Sequence, residues 1–361
     1  MFGQNRCLIS VGNKYGYIDT LGKVAIKPQY SYGLQFSEGL AAVKNDTAWG
    51  FIDSSGKVVI EFKFNIAEQF NGGSSVVNIN GKSGLIDKKG KIILEPIYDW
   101  IYFQNEGFVA SKLNGKWGFY HITSRKFITD FIYEDVGPFS NGLAAVKIDN
   151  LYGFINRNGV IAIEPKYRQI RYKKFGNGLA CAVSPDNNKW GVIDTLGNVI
   201  MDFKYFDLSF PSENKIFVRE KYKQKGYFIN QNGEKLFNKT FDDIWIFNDG
   251  LCAVRINGKE GIINSEGKWI VEPNLDGIGI LYHDGWISFH QIGDSNTRLY
   301  GIINRQGEIV FKPQFSRVIK NDGNCILPEV YLCGKESNKN INLCKRGYVN
   351  LKGDIIWKPT K

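Results

Sequence analysis

Residues 48–60 read AWGFIDSSGKVVI, and this stretch decides the fold. A Trp-Gly pair opens it, an apolar segment runs to Ile52, and Asp53 begins a D-x-x-G sequence that ends at Gly56. Asp or Asn at the first position of a turn with Gly at the fourth is typical of a type I turn that leads into a glycine bulge. A second apolar segment follows at 58–60, so the stretch predicts two antiparallel strands joined by a tight turn.

The same pattern recurs ten times along the 361 residues. The glycine after the aromatic residue marks each unit, and successive markers are 34, 34, 34, 35, 38, 36, 34, 40 and 46 residues apart, with Tyr227 in place of the glycine once. Units of this length predict a single array whose last two members carry insertions. The predicted units cover residues 5–38, 39–72, 73–106, 107–141, 142–177, 178–213, 214–249, 250–284, 285–322 and 323–361.

The strand before each Trp-Gly pair is apolar on both faces. In GLAAVK at 39–44, Leu40 and Ala42 lie on one face, and Ala41 and Val43 lie on the other. Burial on both faces requires a neighbouring sheet on each side, and one unit cannot supply that alone. No window shows a sustained helical period. The sequence therefore predicts an all-β fold of tandem repeats, each with three or four short antiparallel strands.

These motifs resemble the WG repeat, or KWG repeat, of a bacterial protein family named for its Trp-Gly pair. The resemblance rests on segments such as KWGFYH at 116–121, LYGFIN at 151–156 and KWGVID at 189–194, and it covers nearly the whole chain. In the fourth unit His121 and Ser124 replace the ends of the D-x-x-G turn. Membership implies no catalytic residues, and it implies a repeat protein whose binding role is largely undefined.

Two architectures fit such a repeat. A β-propeller is favoured, because its four-stranded blades stack on both faces and protect their edges. The strand–D-x-x-G–strand segment also resembles the blades of quinoprotein-type propellers. The alternative is an open superhelical solenoid of β-hairpins, similar to choline-binding repeat arrays. The two differ in whether the chain ends meet.

The composition of the chain indicates where the protein resides and which partners its charge permits. Apolar residues make up 43% and charged residues 23% of the chain, as in soluble globular proteins. No apolar run reaches the length of a membrane span, and the first residues lack the pattern of a secretory signal, so the expectation is a cytoplasmic protein without membrane contact. The net charge of +10 permits a nucleic acid or another polyanion as a partner.

Residues that could carry chemistry have structural explanations. Cys7, Cys181 and Cys252 are assigned to the repeat position that Ala41 occupies, which predicts small, buried, free thiols. Whether Cys333 pairs with Cys344 stays open. The histidines, namely His121, His283 and His290, are expected to be solvated loop residues. We therefore predict no enzyme activity, no metal site and no cofactor.

Two groups of residues are predicted to bind partners. The insertions in the last two units suggest exposed aromatic and apolar contacts for a protein. These residues are Trp286, Phe289, Leu327, Val330 and Tyr331. Basic and aromatic residues alternate in the fifth to seventh units and suggest an anion site. The basic residues are Lys166, Arg168, Arg171, Lys173, Lys174, Arg219, Lys221, Lys223 and Lys225.

The resulting functional prediction is a non-enzymatic repeat scaffold that binds a protein partner over an extended surface. One alternative is a nucleic-acid or polyanion binder that uses the basic residues of units five to seven. The other is a propeller-type enzyme with its site in units nine and ten, which lacks a convergent set of acid, base or metal ligands.

Overall fold

A computed structural model describes residues 5–281, 285–293, 297–319, 325–333 and 344–360. Within these ranges the chain forms 39 β-strands and a single 3-10 turn at Arg171–Lys173, with no α-helix. The strands form ten small antiparallel sheets, which are the blades of a β-propeller fold. The predicted all-β fold is confirmed.

Compact packing divides the chain into two units of five blades. The first unit comprises residues 1–97 and 275–361, and the second comprises 98–274. Blades 1 to 3, 9 and 10 belong to the first unit. Their strands are β1 (Cys7–Val11), β2 (Lys14–Ile18), β3 (Val24–Tyr30); β4 (Tyr32–Gly33), β5 (Leu40–Lys44), β6 (Trp49–Asp53), β7 (Val58–Phe64); β8 (Ile66–Ala67), β9 (Ser74–Ile79), β10 (Lys82–Asp87), β11 (Ile92–Tyr98); β32 (Gly277–Leu281), β33 (Trp286–Ile292), β34 (Arg298–Asn304), β35 (Ile309–Phe315); β36 (Arg317–Ile319), β37 (Glu329–Leu332), β38 (Lys345–Val349) and β39 (Ile355–Thr360).

Blades 4 to 8 belong to the second unit. Their strands are β12 (Trp100–Asn105), β13 (Phe108–Leu113), β14 (Lys116–His121), β15 (Lys126–Phe127); β16 (Asp135–Val136), β17 (Leu143–Ile148), β18 (Leu151–Asn156), β19 (Ile161–Tyr167); β20 (Gln169–Ile170), β21 (Leu179–Val183), β22 (Trp190–Asp194), β23 (Val199–Tyr205); β24 (Asp207–Leu208), β25 (Ile216–Arg219), β26 (Gly226–Ile229), β27 (Lys235–Phe241); β28 (Asp243–Ile244), β29 (Leu251–Ile256), β30 (Lys259–Asn264) and β31 (Trp269–Leu275).

A hydrogen-bonded blade begins before the sequence repeat does. Blade 2 starts with the short strand β4, which pairs with β5 and precedes the unit boundary drawn at residue 39. The remaining strands pair in chain order, so each four-stranded blade is a meander of β-hairpins. Blade 1 has three strands among the described residues, because no first strand pairs with β1.

The D-x-x-G turn forms as predicted. In blade 2 Asp53 Oδ1 accepts hydrogen bonds from the backbone N–H groups of Ser55 and Lys57, at 2.9 and 3.1 Å. Gly56 has φ of 89°, a conformation that costs other residues energy. Every blade except blade 4 repeats these two bonds, so the Asp and Asn side chains at this position are turn ligands.

The marker glycine lies against the backbone of the fourth strand. A Cβ atom added at Gly50 would come within 2.7 Å of the Ile60 carbonyl oxygen and 3.1 Å of the Phe62 ring. The fourth strand bulges beside this glycine, between the pairs Trp49–Phe64 and Phe51–Ile60. The predicted close approach is therefore confirmed, and its partner is mainly backbone.

Blade 7 shows what happens without the glycine. Tyr227 occupies the marker position, since it pairs with Val218 on β25. The fourth strand there keeps a regular register further along, and Phe237 takes a φ of 57°. A left-handed conformation is costly for a bulky residue, so the strand accommodates the tyrosine at the expense of backbone strain.

The hydrophobic core lies between neighbouring blades. Leu40 and Ala42 pack towards blade 3, whereas Ala41 and Val43 pack towards blade 1. The two-sided burial expected of this strand is thus confirmed, and stacking of blades supplies the core that one blade cannot.

The first and last blades meet within the first unit. A disulfide joins Cys7 on β1 to Cys325, which precedes β37. The edge of β1 is covered by side chains: Leu8 N–H donates to Gln35 Oε1 at 3.2 Å, and Leu8 C=O accepts from Tyr348 Oη at 2.5 Å. Side-chain partners thus satisfy an edge that elsewhere pairs with a first strand. Blade 1 is therefore in contact with blade 10, as the predicted propeller requires.

The cysteine predictions need correction. Cys7 is in a disulfide rather than free, and Cys333 pairs with Cys344. Cys181 is free and buried. In the strand register, however, Cys181 lies opposite Val192, whereas Cys7 and Cys252 lie opposite Ile18 and Ile263. Cys181 therefore occupies the repeat position next to that of the other two cysteines. The hairpin of blade 6 is longer than the count assumed, and a slip of one residue turns a side chain to the other face of the sheet.

We expect Gly50→Val to destabilise the protein by about 1–3 kcal/mol, because the new side chain would overlap the fourth strand. Thermal unfolding measures the effect. Gly118→Val is the matched comparison: the added Cβ there lies 3.1 Å from the nearest backbone oxygen, so its loss should be smaller. Equal melting temperatures for wild type and Gly50→Val would refute the close contact.

Removing the Cys7–Cys325 disulfide should lower the unfolding free energy by about 2–5 kcal/mol. Cys7→Ala/Cys325→Ala is the suitable variant, since Ala41 fills the position of Cys7 in blade 2. Removal of Cys333–Cys344 is the control, and its effect should be smaller, because that bond spans 11 residues rather than 318. Denaturant titrations that rank the two variants in the opposite order would contradict this.

Candidate functional site

The C-terminal residues predicted to contact a partner are buried. Trp286 and Phe289 lie on β33 and are each 1% exposed. Leu327, Val330 and Tyr331, before and on β37, are between 0 and 8% exposed. The expectation of exposed anchors was wrong, because these residues belong to the core strands that flank the insertions. Residues 294–296 and 334–343 of the insertions lie outside the described ranges.

Long repeats gain residues in the hairpin between the second and third strands of the blade, and blade 6 also has a longer connection between its first and second strands, at 171–178. This hairpin has two residues in five blades, for example at 80–81 and 149–150. It has six in blades 6 and 7, at 184–189 and 220–225. Insertions in the hairpin between the second and third strands change one end of a blade and leave its packing faces intact.

In most blades a side chain from the residue before the first strand fastens this hairpin. Asn65 Oδ1 accepts from Asn80 N–H at 2.8 Å in blade 3, and Asp276 Oδ2 accepts from Ile292 N–H at 2.7 Å in blade 9. Glu134, Asp242 and Ser316 accept the equivalent bond in three further blades. In blade 2 the Ser31 hydroxyl fastens the hairpin by donating to the carbonyls of Lys44 and Asn45 instead. These residues form a repeated polar latch.

Blades 6 and 7 lack the latch. Arg168 and Phe206 occupy the position, and neither side chain can accept a hydrogen bond from a hairpin N–H. Both residues are exposed, Phe206 to 39%. The two departures coincide with the two six-residue hairpins, so this end of blades 6 and 7 has been altered away from the regular repeat.

An exposed aromatic pair lies at this end. The rings of Phe206 and Tyr222 are 5.4 Å apart, and Tyr222 is 68% exposed at the tip of the blade 7 hairpin. Lys189 Nζ lies 5.8 Å from the Phe206 ring, and Lys223 Nζ lies 5.4 Å from the Tyr222 ring. We call these four residues, together with Arg168 and Lys221, the blade 6–7 surface.

Part of the predicted anion site is neutralised by carboxylates. Arg171 forms an ion pair with Asp207 and lies 4.4 Å from the Trp190 ring. Arg219 contacts Asp207 at 3.6 Å and Asp243 at 3.0 Å. The two guanidinium groups and two carboxylates alternate across blades 6 to 8, so these arginines hold neighbouring blades together.

Two lysines of the predicted site are likewise paired. Lys173 contacts Asp135 at 2.5 Å, and Lys225 contacts Asp242 at 3.1 Å. Burial alone would raise the pKa of Asp135, but hydrogen bonds from Lys173 and Tyr152 outweigh it and lower the pKa. Four of the nine predicted basic residues are thus engaged within the protein.

The other five basic residues have no ion pair with a described carboxylate. Lys166 and Lys174 lie over the rings of Tyr167 and Phe210, at 5.5 and 5.6 Å. Arg168, Lys221 and Lys223 are exposed and belong to the blade 6–7 surface. Sequence reasoning omitted Lys189, Phe206 and Tyr222 from the site, although the unlatched position could have been found by aligning the repeats.

The histidines that the structure describes have local partners. His121 Nδ1 lies 2.9 Å from Ser124 Oγ and shares a hydrogen bond with it across the altered turn of blade 4. His290 packs 5.2 Å from the Tyr300 ring. His283 lies outside the described residues. Across the part of the chain that the structure describes, no three His, Cys, Asp or Glu side chains are grouped as metal ligands.

The fold and its repeat positions define a β-propeller repeat protein. The family model of the WG containing repeat matches most of the chain, so the protein belongs to the WG-repeat family. The matched residues are 15–46, 49–82, 84–117, 117–152, 152–184, 190–223, 228–259, 261–289 and 300–324. The tenth blade, which ends at Thr360, extends beyond these matches.

Among solved structures, the chain is similar to a crystal structure of the eukaryotic initiation factor, with 10% identity and a TM-score of 0.54 over 98% of this chain and 95% of that one. It is also similar to dipeptidyl peptidase 4 of Porphyromonas gingivalis, with 11% identity and a TM-score of 0.48 over 90% and 58%. At such identities the likeness concerns the fold alone. No curated protein matches the sequence.

The two free cysteines are inaccessible. Cys181 and Cys252 are both 0% exposed, and burial raises the pKa of each thiol. Each thiol donates to a backbone carbonyl, that of Ser209 or Trp245. Buried thiols with a raised pKa are poor nucleophiles.

We therefore expect an alkylating reagent to leave Cys181 and Cys252 unmodified in the native protein and to label both after denaturation. Leu196→Cys supplies a positive control, since Leu196 is 79% exposed in the turn of blade 6. Peptide mass spectrometry reads out each site. Labelling of the two native cysteines as fast as the control would show that the blade faces open to solvent.

Proposed function

We propose that the protein is a non-enzymatic repeat scaffold that binds a protein partner. The observation that carries the proposal is the blade 6–7 surface, where an exposed aromatic pair lies beside cations at hairpins that depart from the two-residue pattern. Aromatic side chains in a polar setting are the residues that protein interfaces use most. The regular blades supply a stable platform, and the altered hairpins supply the contact.

The roles of the candidate catalytic groups support a non-enzymatic protein. The Asp and Asn side chains of the repeats are occupied by turn hydrogen bonds, and the free thiols are buried. An acid–base pair needs groups that are free to exchange a proton with a substrate. His121 shares a hydrogen bond with Ser124, and Glu106, which lines the same open groove, forms an ion pair with Arg157.

The cellular location of the protein is a separate question from its function. None of the described residues forms a helix long and apolar enough to cross a membrane. A cytoplasmic location stays a prediction, and the two disulfides weigh against it, because disulfides persist in oxidising compartments.

Site-specific photo-crosslinking in the native organism tests the proposal. A photoreactive phenylalanine analogue at Tyr222 should form a reproducible protein adduct, because that side chain is 68% exposed on the altered surface. The same analogue at Leu196, which is exposed in the D-x-x-G turn of blade 6, is the matched control and should give none.

The possible outcomes test the scaffold function and the position of its binding surface separately. Adducts from Leu196 alone would keep a protein partner but contradict its placement on blades 6 and 7. Adducts with nucleic acid, or no reproducible adduct at either position, would contradict the scaffold. Binding of the identified partner to purified protein, measured with and without Lys189→Glu/Lys223→Glu, then checks that the contact is direct.

A further inference from the structure

The ion pairs of blades 6 to 8 divide the positive charge into two groups. The arginines at 171 and 219 are held by Asp207 and Asp243. The cations of the blade 6–7 surface have no carboxylate partner among the described residues. Positive charge without a carboxylate partner at this end of blades 6 and 7 includes the side chains of Arg168, Lys189, Lys204, Lys221 and Lys223.

Two of the unpaired cations lie beside the apolar contact. Lys189 and Lys223 each lie less than 6 Å from one ring of the Phe206–Tyr222 pair. An ammonium group that lies over a ring still has N–H groups free to donate to a carboxylate. A ligand that fits this arrangement carries negative charge on both sides of an apolar group.

The charge pattern distinguishes between two kinds of polyanion. A nucleic-acid backbone favours a continuous positive track, and guanidinium groups bind its phosphates best. Here the guanidinium groups at 171 and 219 are already paired, and the exposed carboxylates of Asp186 and Glu220 lie in the same two hairpins as the lysines. A short positive patch interrupted by carboxylates suits a few separate negative charges better.

We propose that the blade 6–7 surface binds an acidic protein segment that places an aromatic or aliphatic side chain against Phe206 and Tyr222. The inference rests on the proposed scaffold function and adds the chemistry of the partner. The carboxylates of the segment pair with Lys189, Lys223 and their neighbours, while its apolar residue covers the exposed rings.

Fluorescence anisotropy with a labelled synthetic peptide tests the proposal. The probe is a short peptide of Asp and Glu with one central Phe, and an oligothymidylate of similar length is measured at the same ionic strength. We expect the peptide to bind and the oligonucleotide to bind more weakly. Lys189→Glu/Lys223→Glu and Tyr222→Ser should each weaken peptide binding by about tenfold or more, or about 1.4 kcal/mol.

Lys23→Glu/Lys89→Glu is the matched control, since it makes the same change in net charge at exposed turn lysines of blades 1 and 3. It should leave peptide affinity unchanged, and circular dichroism melts should show that all variants fold. An equal loss of peptide affinity in the control would show that the effect comes from net charge, and it would contradict the proposed site. Tighter binding of oligothymidylate, lost in the same variants, would assign the surface to nucleic acid instead.

If the peptide does not bind at all, the proposal that the partner supplies an acidic segment is wrong. If crosslinking at Tyr222 still captures a protein that binds in purified form, the scaffold function stands and only the chemistry assigned to the partner is wrong. Replacing the central Phe of the peptide by Ser separates the two contributions, because the charge contacts remain while the ring contact is lost.

Discussion

The close contact between the marker glycine and the backbone of the fourth strand governs the whole blade. At Gly16 an added Cβ would lie 2.5 Å from the Ile26 carbonyl oxygen, and Gly50 repeats the contact with Ile60. The bulge that this contact permits bends the fourth strand next to the third, and the isoleucine beside it packs on the turn glycine of the next blade: Ile26 on Gly56, and Ile60 on Gly90. One missing side chain thus sets both the shape of a blade and its contact with its neighbour.

Blade 7 lacks the marker glycine, and the changes in its backbone show that the close contact constrains the fourth strand. With Tyr227 at the marker position, the fourth strand changes its bulge and Phe237 adopts a left-handed conformation. Phe237 nevertheless keeps the inter-blade role of the isoleucines, since its ring lies against Gly267 of blade 8. The stacking contact is preserved at the cost of local strain, which indicates that packing between blades dominates over backbone preference within one blade.

Local pattern predicted the blade well, because its determinants lie close together in sequence. The D-x-x-G turn, the two-sided strand and the close glycine all follow from a stretch of 13 residues, 48–60. The junction of blades 1 and 10 could not be predicted in this way, because Cys7 and Cys325 are 318 residues apart and no spacing rule links them. The buried state of Trp286 and Val330 was missed for a related reason: an insertion was counted by length, while its register depends on where the hairpin lengthens.

Regularity itself is the reference against which a binding surface can be recognised. A single blade gives no reference for which residue to expect at a given position. The other nine blades supply that reference, because the residue that most of them share shows what the fold requires there. Where five blades use a hydrogen-bond acceptor to fasten the hairpin, Arg168 and Phe206 cannot be explained by that task. The same comparison removes Arg171 and Arg219 from the candidate surface, since their carboxylate partners give them a structural task. The cations of the blade 6–7 surface have no carboxylate partner among the described residues and lie with an exposed aromatic pair, and that is why the partner is placed there and not on the most basic segment of the sequence.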